Sequence, residues 1–406
     1  VRLRPRSGLL TGSLKQVRSI HRRRGHSNHN LVRTWCGVGD LLHLQNIFTA
    51  VFSYHHCSHS GEVSVKPPIK IARCVGLSYA QVSMDYTWPK HFDDLAAEAS
   101  EWVIEATSDL LKTDDGWLVG YSDKFTLRLA EKGWIGMTWP IDKGGDGRPE
   151  VERFVVTEQL LLGRAPMAGS FFPDRQIGPV LLAYGTDEQQ ERFLPTMRQG
   201  KSKWCIGMSE PDAGSNVAGI NTRATQDGSN WIVNGQKIWT SGAQSADYCY
   251  LICRTDLDAP PHKGMSEFIV DMRSPGIEVK PIKDASGDSH FNEVFFNDVL
   301  VPTENLVGEL NNSFGQTMRQ LEHERGGIDR LASNQRLYLD TKELVDLDNP
   351  LIRQEVAEIE TGYKIGRDMV LRNVLRQTPF PQYSAVTKTW CTEFEQKVAS
   401  FVGYAM

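Results

Sequence analysis

The 406-residue chain lacks several features that would assign it to common protein classes. It has no apolar run close to the roughly 20 residues that a membrane-spanning helix needs, so we predict no membrane span. Its seven cysteines include no CxxC pair, and a chain of this length does not need a disulfide scaffold. No GxGxxG follows a strand-like run, and the glycine-rich stretch at 139–147 lacks the Lys-Ser/Thr ending of a phosphate-binding loop. These absences argue against a Rossmann or P-loop nucleotide site.

Beyond the first part of the chain, basic residues are fewer than acidic residues. The formal net charge is −5, yet residues 1–83 hold 12 lysines and arginines against two acids, and the remaining residues hold 33 against 48. An acidic body does not favour nucleic-acid binding, so we predict no nucleic-acid partner. The content of 40% hydrophobic and 23% charged residues is typical of a globular protein, and the length predicts two or three domains.

Residues 1–83 have no persistent helical or strand period, and they hold seven of the eleven histidines. Three interpretations remain open. The stretch could be a disordered or non-native extension before a true start at Met84, or a targeting peptide, because the first 39 residues contain Arg and Ser but no acids. It could also be a His/Cys metal site, although the spacing matches no zinc pattern, and we therefore predict no metal. The expected location is the cytoplasm, or the mitochondrial matrix if residues 1–39 are a transit peptide.

From residue 84 onward the patterns change twice. Residues 84–200 are predicted to be helical, residues 201–310 have short strand-like runs separated by Gly, Pro and Asn, and residues 311–406 are helical again. We predict one helix at 154–162, ended by Gly163, and another from 188 that stops at Pro195. The sequence stops at Met406 inside an apolar helical run, so we expect the last domain to be incomplete.

Two polar motifs about thirty residues apart carry most of the functional information. The first, MSEPDAGS, covers residues 208–215, and the second, IWTSG, covers residues 238–242, with strand-like segments between and after them. This combination resembles the acyl-CoA dehydrogenase family over residues 85–406. The resemblance implies an α+β protein with an N-terminal helical domain, a middle β-barrel domain that binds FAD, and a C-terminal helical bundle.

In the first motif, the resemblance assigns four residues to cofactor or substrate binding. The hydroxyl of Ser209, beside the backbone of Met208, would point to the N1 and O2 edge of the flavin, where donors favour reduction. Gly214 would let backbone approach closely. Ser215 would reach the pyrophosphate or the substrate.

In the second motif, the resemblance assigns three residues to the flavin ring. Trp239 would pack against the isoalloxazine, and Thr240 and Ser241 would donate hydrogen bonds to N5 and O4, where hydride arrives. Taken singly, such residues are usually turn or core residues. Their joint occurrence at this spacing favours contact with the flavin.

The reaction that the resemblance implies removes the α-proton of an acyl-CoA thioester while the β-hydrogen leaves as hydride. A carboxylate base is needed, and in this family it lies either in a late C-terminal segment or before an Arg in the first C-terminal helix. Glu324, directly before Arg325, occupies the second place, and Glu322 corresponds to a residue that contacts CoA. Arg325 is a further candidate for the substrate site. The alternative is a base on a segment that this chain does not contain.

The resemblance also implies partners. Electrons would pass to an electron-transfer flavoprotein, or to O₂ if the chain is an acyl-CoA oxidase. Residues 344–351 lack the Arg-x-x-Phe motif with which many relatives hold the FAD of a neighbouring subunit. We therefore expect a homo- or hetero-oligomer, either a dimer or a tetramer. A non-catalytic flavin-binding or partner subunit remains the alternative from another functional class.

Overall fold

The structure of the protein is a computed structural model, which describes residues 88–325, 327–378 and 382–406 and, for residues 322–325, the backbone alone. The predictions for residues 1–83 lie outside the described residues. Among the described residues, no helix is both long and apolar enough to cross a membrane.

The first part of the described chain is helical, as the sequence predicts. Gly163 follows the third helix at the predicted boundary. Ser122 accepts a hydrogen bond from the Phe125 N–H at the start of the second helix, and Thr186 and Gln189 form a capping box at the start of the sixth. The helices are α1 (Lys90–Ala106), α2 (Asp123–Glu131), α3 (Glu150–Leu162), α4 (Ala168–Phe171), α5 (Gly178–Tyr184) and α6 (Asp187–Arg198).

A π-helical turn at Phe172–Ile177 joins α4 to α5. Pro179 has no N–H and cannot donate to the carbonyl of Arg175, four residues earlier. The Gly178 N–H instead reaches the carbonyl of Pro173, five residues earlier. Such wide turns often occur at functional sites.

The middle part of the chain forms one mixed sheet, not the closed barrel that we expected. Its strand order is β6-β7-β3-β2-β4-β5-β8, and β1 pairs in parallel with β4. Among the described residues, β6 pairs only with β7, and the two-residue β8 pairs only with β5, so nothing closes the sheet. The strands are β1 (Trp204–Gly207), β2 (Arg223–Asp227), β3 (Asn230–Lys237), β4 (Tyr248–Arg254), β5 (Met265–Asp271), β6 (Ile277–Ile282), β7 (Phe291–Pro302) and β8 (Leu306–Val307).

The last part of the described chain is helical again. All of its helices except the first share one apolar core with α1 and α3, whereas a second core lies within the sheet and a third lies between α5, α6 and the sheet. These shared cores join the helices at both ends of the chain and attach them to the sheet. The helices are α7 (Phe314–Arg325), α8 (Asp329–Ala332), α9 (Gln335–Lys342), α10 (Pro350–Val374) and α11 (Tyr383–Ala405).

The prediction that a helix stops at Pro195 was wrong, because α6 continues to Arg198. Pro195 cannot donate a hydrogen bond to the carbonyl of Glu191, and its ring crowds that carbonyl. Both residues lie on the exposed face of α6, where water can solvate the carbonyl. The opposite face, which includes Phe193 and Met197, is buried in the core and holds the last turn in place.

Replacing Pro195 by Ala should therefore stabilise the protein. We expect the free energy of unfolding to rise by up to about 3 kcal/mol, reduced by the ~0.4–1 kcal/mol that the freer unfolded chain gains. Urea denaturation measures the difference. Pro350→Ala is the matched control, because Pro350 is the first residue of α10, where proline is favourable. Equal effects of the two substitutions would contradict this explanation.

Candidate functional site

The first motif forms a tight loop directly after β1. The backbone groups of Glu210 and Ala213 exchange two hydrogen bonds, Glu210 N to Ala213 O at 3.0 Å and Ala213 N to Glu210 O at 3.1 Å. Ala213 is buried below this turn, whereas Gly214 and Ser215 after it are exposed. The loop therefore presents its later residues to solvent and leaves Met208 and Ser209 next to the sheet.

The second motif begins where β3 ends, and its backbone is unusual at Trp239. This residue has φ +60°, a left-handed conformation that is uncommon for a residue with a bulky side chain. The indole is 55% exposed, and its protein contact is an edge-on approach to Phe291 at a centroid distance of 5.8 Å. Strained residues held in this way cluster at ligand sites. The open indole is a surface on which a planar ligand could stack.

Thr240 is held rigidly and yet has an unused hydroxyl. Its N–H donates to the carbonyl of Asn292 at 3.0 Å, and its carbonyl accepts from Asn292 Nδ2 at 2.9 Å. The residue is 1% exposed, and its Oγ1 has no hydrogen-bond partner among the described residues. A buried hydroxyl without a partner is unfavourable unless a ligand supplies one. This atom is therefore a candidate ligand contact.

A buried ion pair joins the two motifs. Lys237, the last residue of β3, is fully buried, and its Nζ donates to Glu210 Oε1 at 2.9 Å and to the Met208 carbonyl at 3.0 Å. The other contacts of the carboxylate are backbone N–H groups, those of Thr222 at 2.9 Å and Asn221 at 2.6 Å. Lys237 thus holds the first motif against the end of β3, and the N–H groups of Asn221 and Thr222 hold it to the chain just before β2.

The charge and the hydrogen bonds around Glu210 change the pKa of its carboxyl group. Burial alone would raise the pKa, but the charge of Lys237 and the hydrogen bonds to the carboxylate outweigh burial and hold it below its usual value. Burial also lowers the pKa of Lys237, against the effect of Glu210. The lowered pKa of Glu210 favours the ionised form of the pair, whereas the lowered pKa of Lys237 favours its neutral form. Because Nζ donates to two oxygen atoms, the geometry supports the ionised form.

A backbone hydrogen bond brings the candidate residues of the two motifs close together. The Ile238 N–H donates to the Ser209 carbonyl at 2.9 Å, so Met208 and Ser209 lie directly beside Trp239 and Thr240. Ser241 follows in the same loop. The next residue, Gly242, has φ +71°, and its N–H donates to the carbonyl of His290 at 2.9 Å.

Gly214 and Ser215 lie apart from this junction. A Cβ atom at Gly214 would meet no atom within 4 Å, so no close approach of protein backbone requires glycine there. Both residues are exposed. Their predicted contacts with a pyrophosphate or substrate remain predictions.

Helix α7 packs against the first motif. Its Phe314 and Met318 belong to the same apolar cluster as Met208 and Ala213. The backbone of residues 322–325 continues α7, so the backbones of Glu322, Glu324 and Arg325 form its last turn. The side chains of these three candidates lie outside the described part of the structure, and their roles remain predictions.

A second buried carboxylate fixes the start of α7 to the sheet. Glu267 in β5 is fully buried and accepts hydrogen bonds from Tyr250 Oη at 2.6 Å and Thr317 Oγ1 at 2.5 Å, as well as from the Gln316 amide. Burial raises the pKa of Glu267, although these hydrogen bonds oppose the change. The network ties β5 to the first turn of α7.

Sequence reasoning did not identify four residues that build this site. Lys237 and Glu267 could have been found as charged residues inside strand-like runs, where a charge must find a buried partner. No comparable signal identifies Glu210 or Asn292, because Glu210 lies in a loop, where acidic residues are common, and Asn292 is an uncharged residue near the start of β7. Their roles follow only from contacts between distant parts of the chain.

Comparison with known proteins agrees with this architecture. The family model described as acyl-CoA dehydrogenase, N-terminal domain, matches residues 96–201, and the one described as acyl-CoA dehydrogenase, middle domain, matches residues 205–299. The chain belongs to the acyl-CoA dehydrogenase family. Its helical domain, sheet domain and C-terminal helices have the fold of that family.

Two curated relatives share the name acyl-CoA dehydrogenase IpdE1. The protein from Mycolicibacterium smegmatis is 35% identical over 268 residues, 62% of this chain and 68% of its own length. The protein from Mycobacterium tuberculosis is 36% identical over 251 residues, 60% of this chain and 65% of its own length. The chain thus spans about two thirds of the length of these relatives.

One solved structure, named Tcur3481-Tcur3483 steroid ACAD, superposes with a TM-score of 0.72 at 29% sequence identity. The alignment covers 79% of this chain and 86% of the other. Most of the described residues therefore have counterparts in a solved structure of the family.

Loss of Lys237 should destabilise the protein strongly. Lys237→Met leaves the carboxylate of Glu210 buried without a cation, so we expect the free energy of unfolding to fall by about 3–5 kcal/mol. Urea denaturation monitored by circular dichroism measures the change. Lys280→Met is the control, because Lys280 and Glu278 form an exposed pair at 3.3 Å whose loss should matter by about 1 kcal/mol or less. Similar losses in both variants would contradict the role assigned to the pair.

Proposed function

We propose that the protein is an FAD-dependent acyl-CoA dehydrogenase that introduces an α,β double bond into an acyl-CoA thioester. The observation that carries the proposal is the junction of the two motifs, where an open, strained indole lies beside a buried hydroxyl without a partner. Family membership supplies the reaction class, and this junction supplies residues that suit the ring of a flavin.

The residues present fit the isoalloxazine. Trp239 offers an exposed aromatic face, and the Thr240 hydroxyl is a donor with no acceptor of its own among the described residues. Ser209 and Ser241 lie in the same two loops as further donors, and the Met208 backbone lies beside them. When bound, FAD supplies the acceptor for the hydride that leaves the β-carbon. Gly214 and Ser215, exposed beyond the turn, are proposed to contact the pyrophosphate or the substrate.

The protein's own part in the chemistry is proton removal. Glu324 is proposed as the base, because its backbone lies in the last turn of a helix whose earlier residues pack against the first motif. A carboxylate in a site closed to water has a raised pKa, which suits it for taking an α-proton from a thioester. Glu322 and Arg325, in the same turn, are proposed to bind the CoA portion of the substrate.

The relatives suggest the kind of substrate and the assembly. A structure named as a steroid enzyme is among the similar ones, so a bulky acyl group is a candidate beside a linear fatty acyl chain. The same name joins two proteins, which favours a hetero-oligomer over a homo-oligomer. We propose an electron-transfer flavoprotein as the electron acceptor. The bacterial IpdE1 relatives favour the cytoplasm and give no support to the mitochondrial alternative.

Two rival functions give different results in one experiment. An acyl-CoA oxidase would be reduced by substrate and then rapidly reoxidised by O₂. A non-catalytic subunit would bind flavin, but no acyl-CoA would bleach it. The visible spectrum under anaerobic conditions, before and after a mixed set of acyl-CoAs and then after admission of air, separates all three.

Removal of the Thr240 hydroxyl should have opposite effects on the two forms of the protein. Thr240→Val deletes a buried group without a partner, so the flavin-free protein should be unchanged or more stable by about 1 kcal/mol. Flavin binding should weaken by about 1 kcal/mol, because one donor is lost. Thermal unfolding and fluorescence titration with FAD measure the two effects. Thr225→Val, at an exposed position of β2, should change neither. A Thr240→Val protein that is less stable without flavin but binds it normally would contradict the assignment.

Replacement of the proposed base should slow flavin reduction without loss of flavin. Glu324→Gln keeps the size of the side chain but cannot take a proton, so the rate of bleaching by acyl-CoA should fall by about 10²–10⁴-fold. Anaerobic stopped-flow absorbance measures this rate. Glu343→Gln, an exposed glutamate after α9, is the control and should react like wild type. An unchanged rate in Glu324→Gln would remove this residue from the mechanism.

A further inference from the structure

We propose that Arg175 is a positioning residue that acts through Asp329 to fix the backbone at residues 327–329, the turn that follows the candidate base Glu324. The inference rests on the proposed function for its consequence in catalysis. Its structural basis is independent of that function, since it consists of contacts among described residues.

Arg175 and Asp329 form an ion pair in the interior of the protein. Arg175 Nη1 donates to Asp329 Oδ1 at 3.0 Å, and the two side chains are only 10% and 3% exposed. Arg175 belongs to the π-helical turn after α4, and Asp329 is the first residue of α8. The pair therefore links the first group of helices to the chain that follows α7. Breaking a buried pair is strongly unfavourable, so this link has one stable arrangement.

The backbone at Gly327 packs against this ion pair. A Cβ atom at Gly327 would lie 2.4 Å from Arg175 Nη2 and 2.2 Å from Asp329 Oδ2, so a larger residue there would displace the ends of both charged side chains. The backbone is thus packed directly on the pair, three residues after Glu324 in the sequence. A displacement of either charged side chain would leave this turn without its support.

Arg175 is itself held on other sides. Its guanidinium lies 5.7 Å from the ring centroid of Phe171, within the range of a cation–π contact. The neighbouring Asp174 accepts a hydrogen bond from the Gly136 N–H at 2.7 Å, which anchors the π-helical turn to the loop before α3. The pair thus joins a fixed part of the first helices to the turn after Glu324.

The start of α7 has its own attachment, through Thr317 and Gln316 to Glu267. Glu267 therefore holds the first turn of the helix that carries Glu324, and the pair of Arg175 and Asp329 holds the chain that follows its last turn. A base must be placed to within about an ångström to act, and misplacement of that size can lower a rate by about 10²-fold. Support at the end nearer Glu324 is the part that bears most directly on its position.

The alternative is that the pair contributes only to stability. A second ion pair tests this alternative, because Arg367 and Glu158 also join the first helices to the last, with Arg367 Nε to Glu158 Oε1 at 2.7 Å and Nη2 to Oε2 at 3.0 Å. It is the more exposed of the two pairs, with the Arg367 side chain 34% exposed. Arg367 and Glu158 link α10 to α3, outside the turn that follows Glu324. A purely structural role predicts the same pattern of effects for both pairs.

The experiment compares Arg175→Met, Arg175→Lys and Arg367→Met with wild type by hydrogen exchange of the backbone amides in residues 318–330. We expect exchange there to be about tenfold faster or more in Arg175→Met, because a buried pair is broken. Arg175→Lys, which keeps the charge, should recover part of the protection. Arg367→Met should leave exchange in this segment as in wild type. Equal exchange in Arg175→Met and Arg367→Met would overturn the proposal.

The catalytic consequence is measured separately by flavin reduction with acyl-CoA. We expect the rate to fall by about 10- to 100-fold in Arg175→Met, with little change in the dissociation constant for acyl-CoA. Arg367→Met should retain the wild-type rate. A wild-type rate in Arg175→Met would overturn the positioning role. If no acyl-CoA reduces even the wild-type protein, the proposed function fails, and the exchange data still decide whether Arg175 fixes the turn.

Discussion

The buried ion pair between Lys237 and Glu210 is the interaction on which the candidate site depends. It joins two loops that are far apart in sequence, and it uses the end of β3 as the fixed support. A charge buried without its partner would be strongly unfavourable, so the pair allows one relative placement of the motifs. The Ile238–Ser209 hydrogen bond then sets the register between them. The polar atoms left free at the junction, Thr240 Oγ1 among them, are candidates for contact with a ligand.

The same principle recurs where α7 meets its neighbours. Glu267 uses uncharged donors from Tyr250 and two residues of α7, whereas Asp329 uses the guanidinium of Arg175. Because Glu267 has no cation beside it, burial raises the pKa of its carboxyl group. Apolar packing alone would hold the helix against the sheet with freedom to slide. Buried polar contacts have directions, so they fix where along the sheet the helix stands.

An element of this fold could be predicted from the sequence only where a short-range pattern of residues determines it. The strands at Trp231 and Tyr248 and the helix end at Gly163 follow from short-range patterns, and the structure has them. The helix through Pro195 does not, because the local penalty of proline is offset by burial of Phe193 and Met197 against distant residues. The open sheet could not be predicted either, since closure depends on whether its end strands β6 and β8 meet.

The candidate site divides in the same way. Trp239 and Thr240 could be singled out because they belong to a motif that resembles one of the acyl-CoA dehydrogenase family. Asn292 could not, although both backbone groups of Thr240 depend on it, because its role exists only when β7 lies beside the loop. The left-handed backbone conformation of Trp239 likewise cannot be predicted from the sequence, because no residue type that favours it occurs at this position.

The strained backbone of Trp239 and the unpaired hydroxyl of Thr240 are together an argument for ligand binding. Protein folding alone would favour a glycine or asparagine where Trp239 adopts φ +60°, and a valine where the Thr240 hydroxyl is buried without a partner. Two such unfavourable choices stand next to each other, and the side-chain amide oxygen of Asn292, beside Thr240, also has no hydrogen-bond partner among the described residues. Residues that destabilise the ligand-free protein in this way are retained when they stabilise a bound ligand. An aromatic face and a single hydroxyl donor, presented side by side by a rigid support, suit a flat ligand with a hydrogen-bond acceptor at its edge.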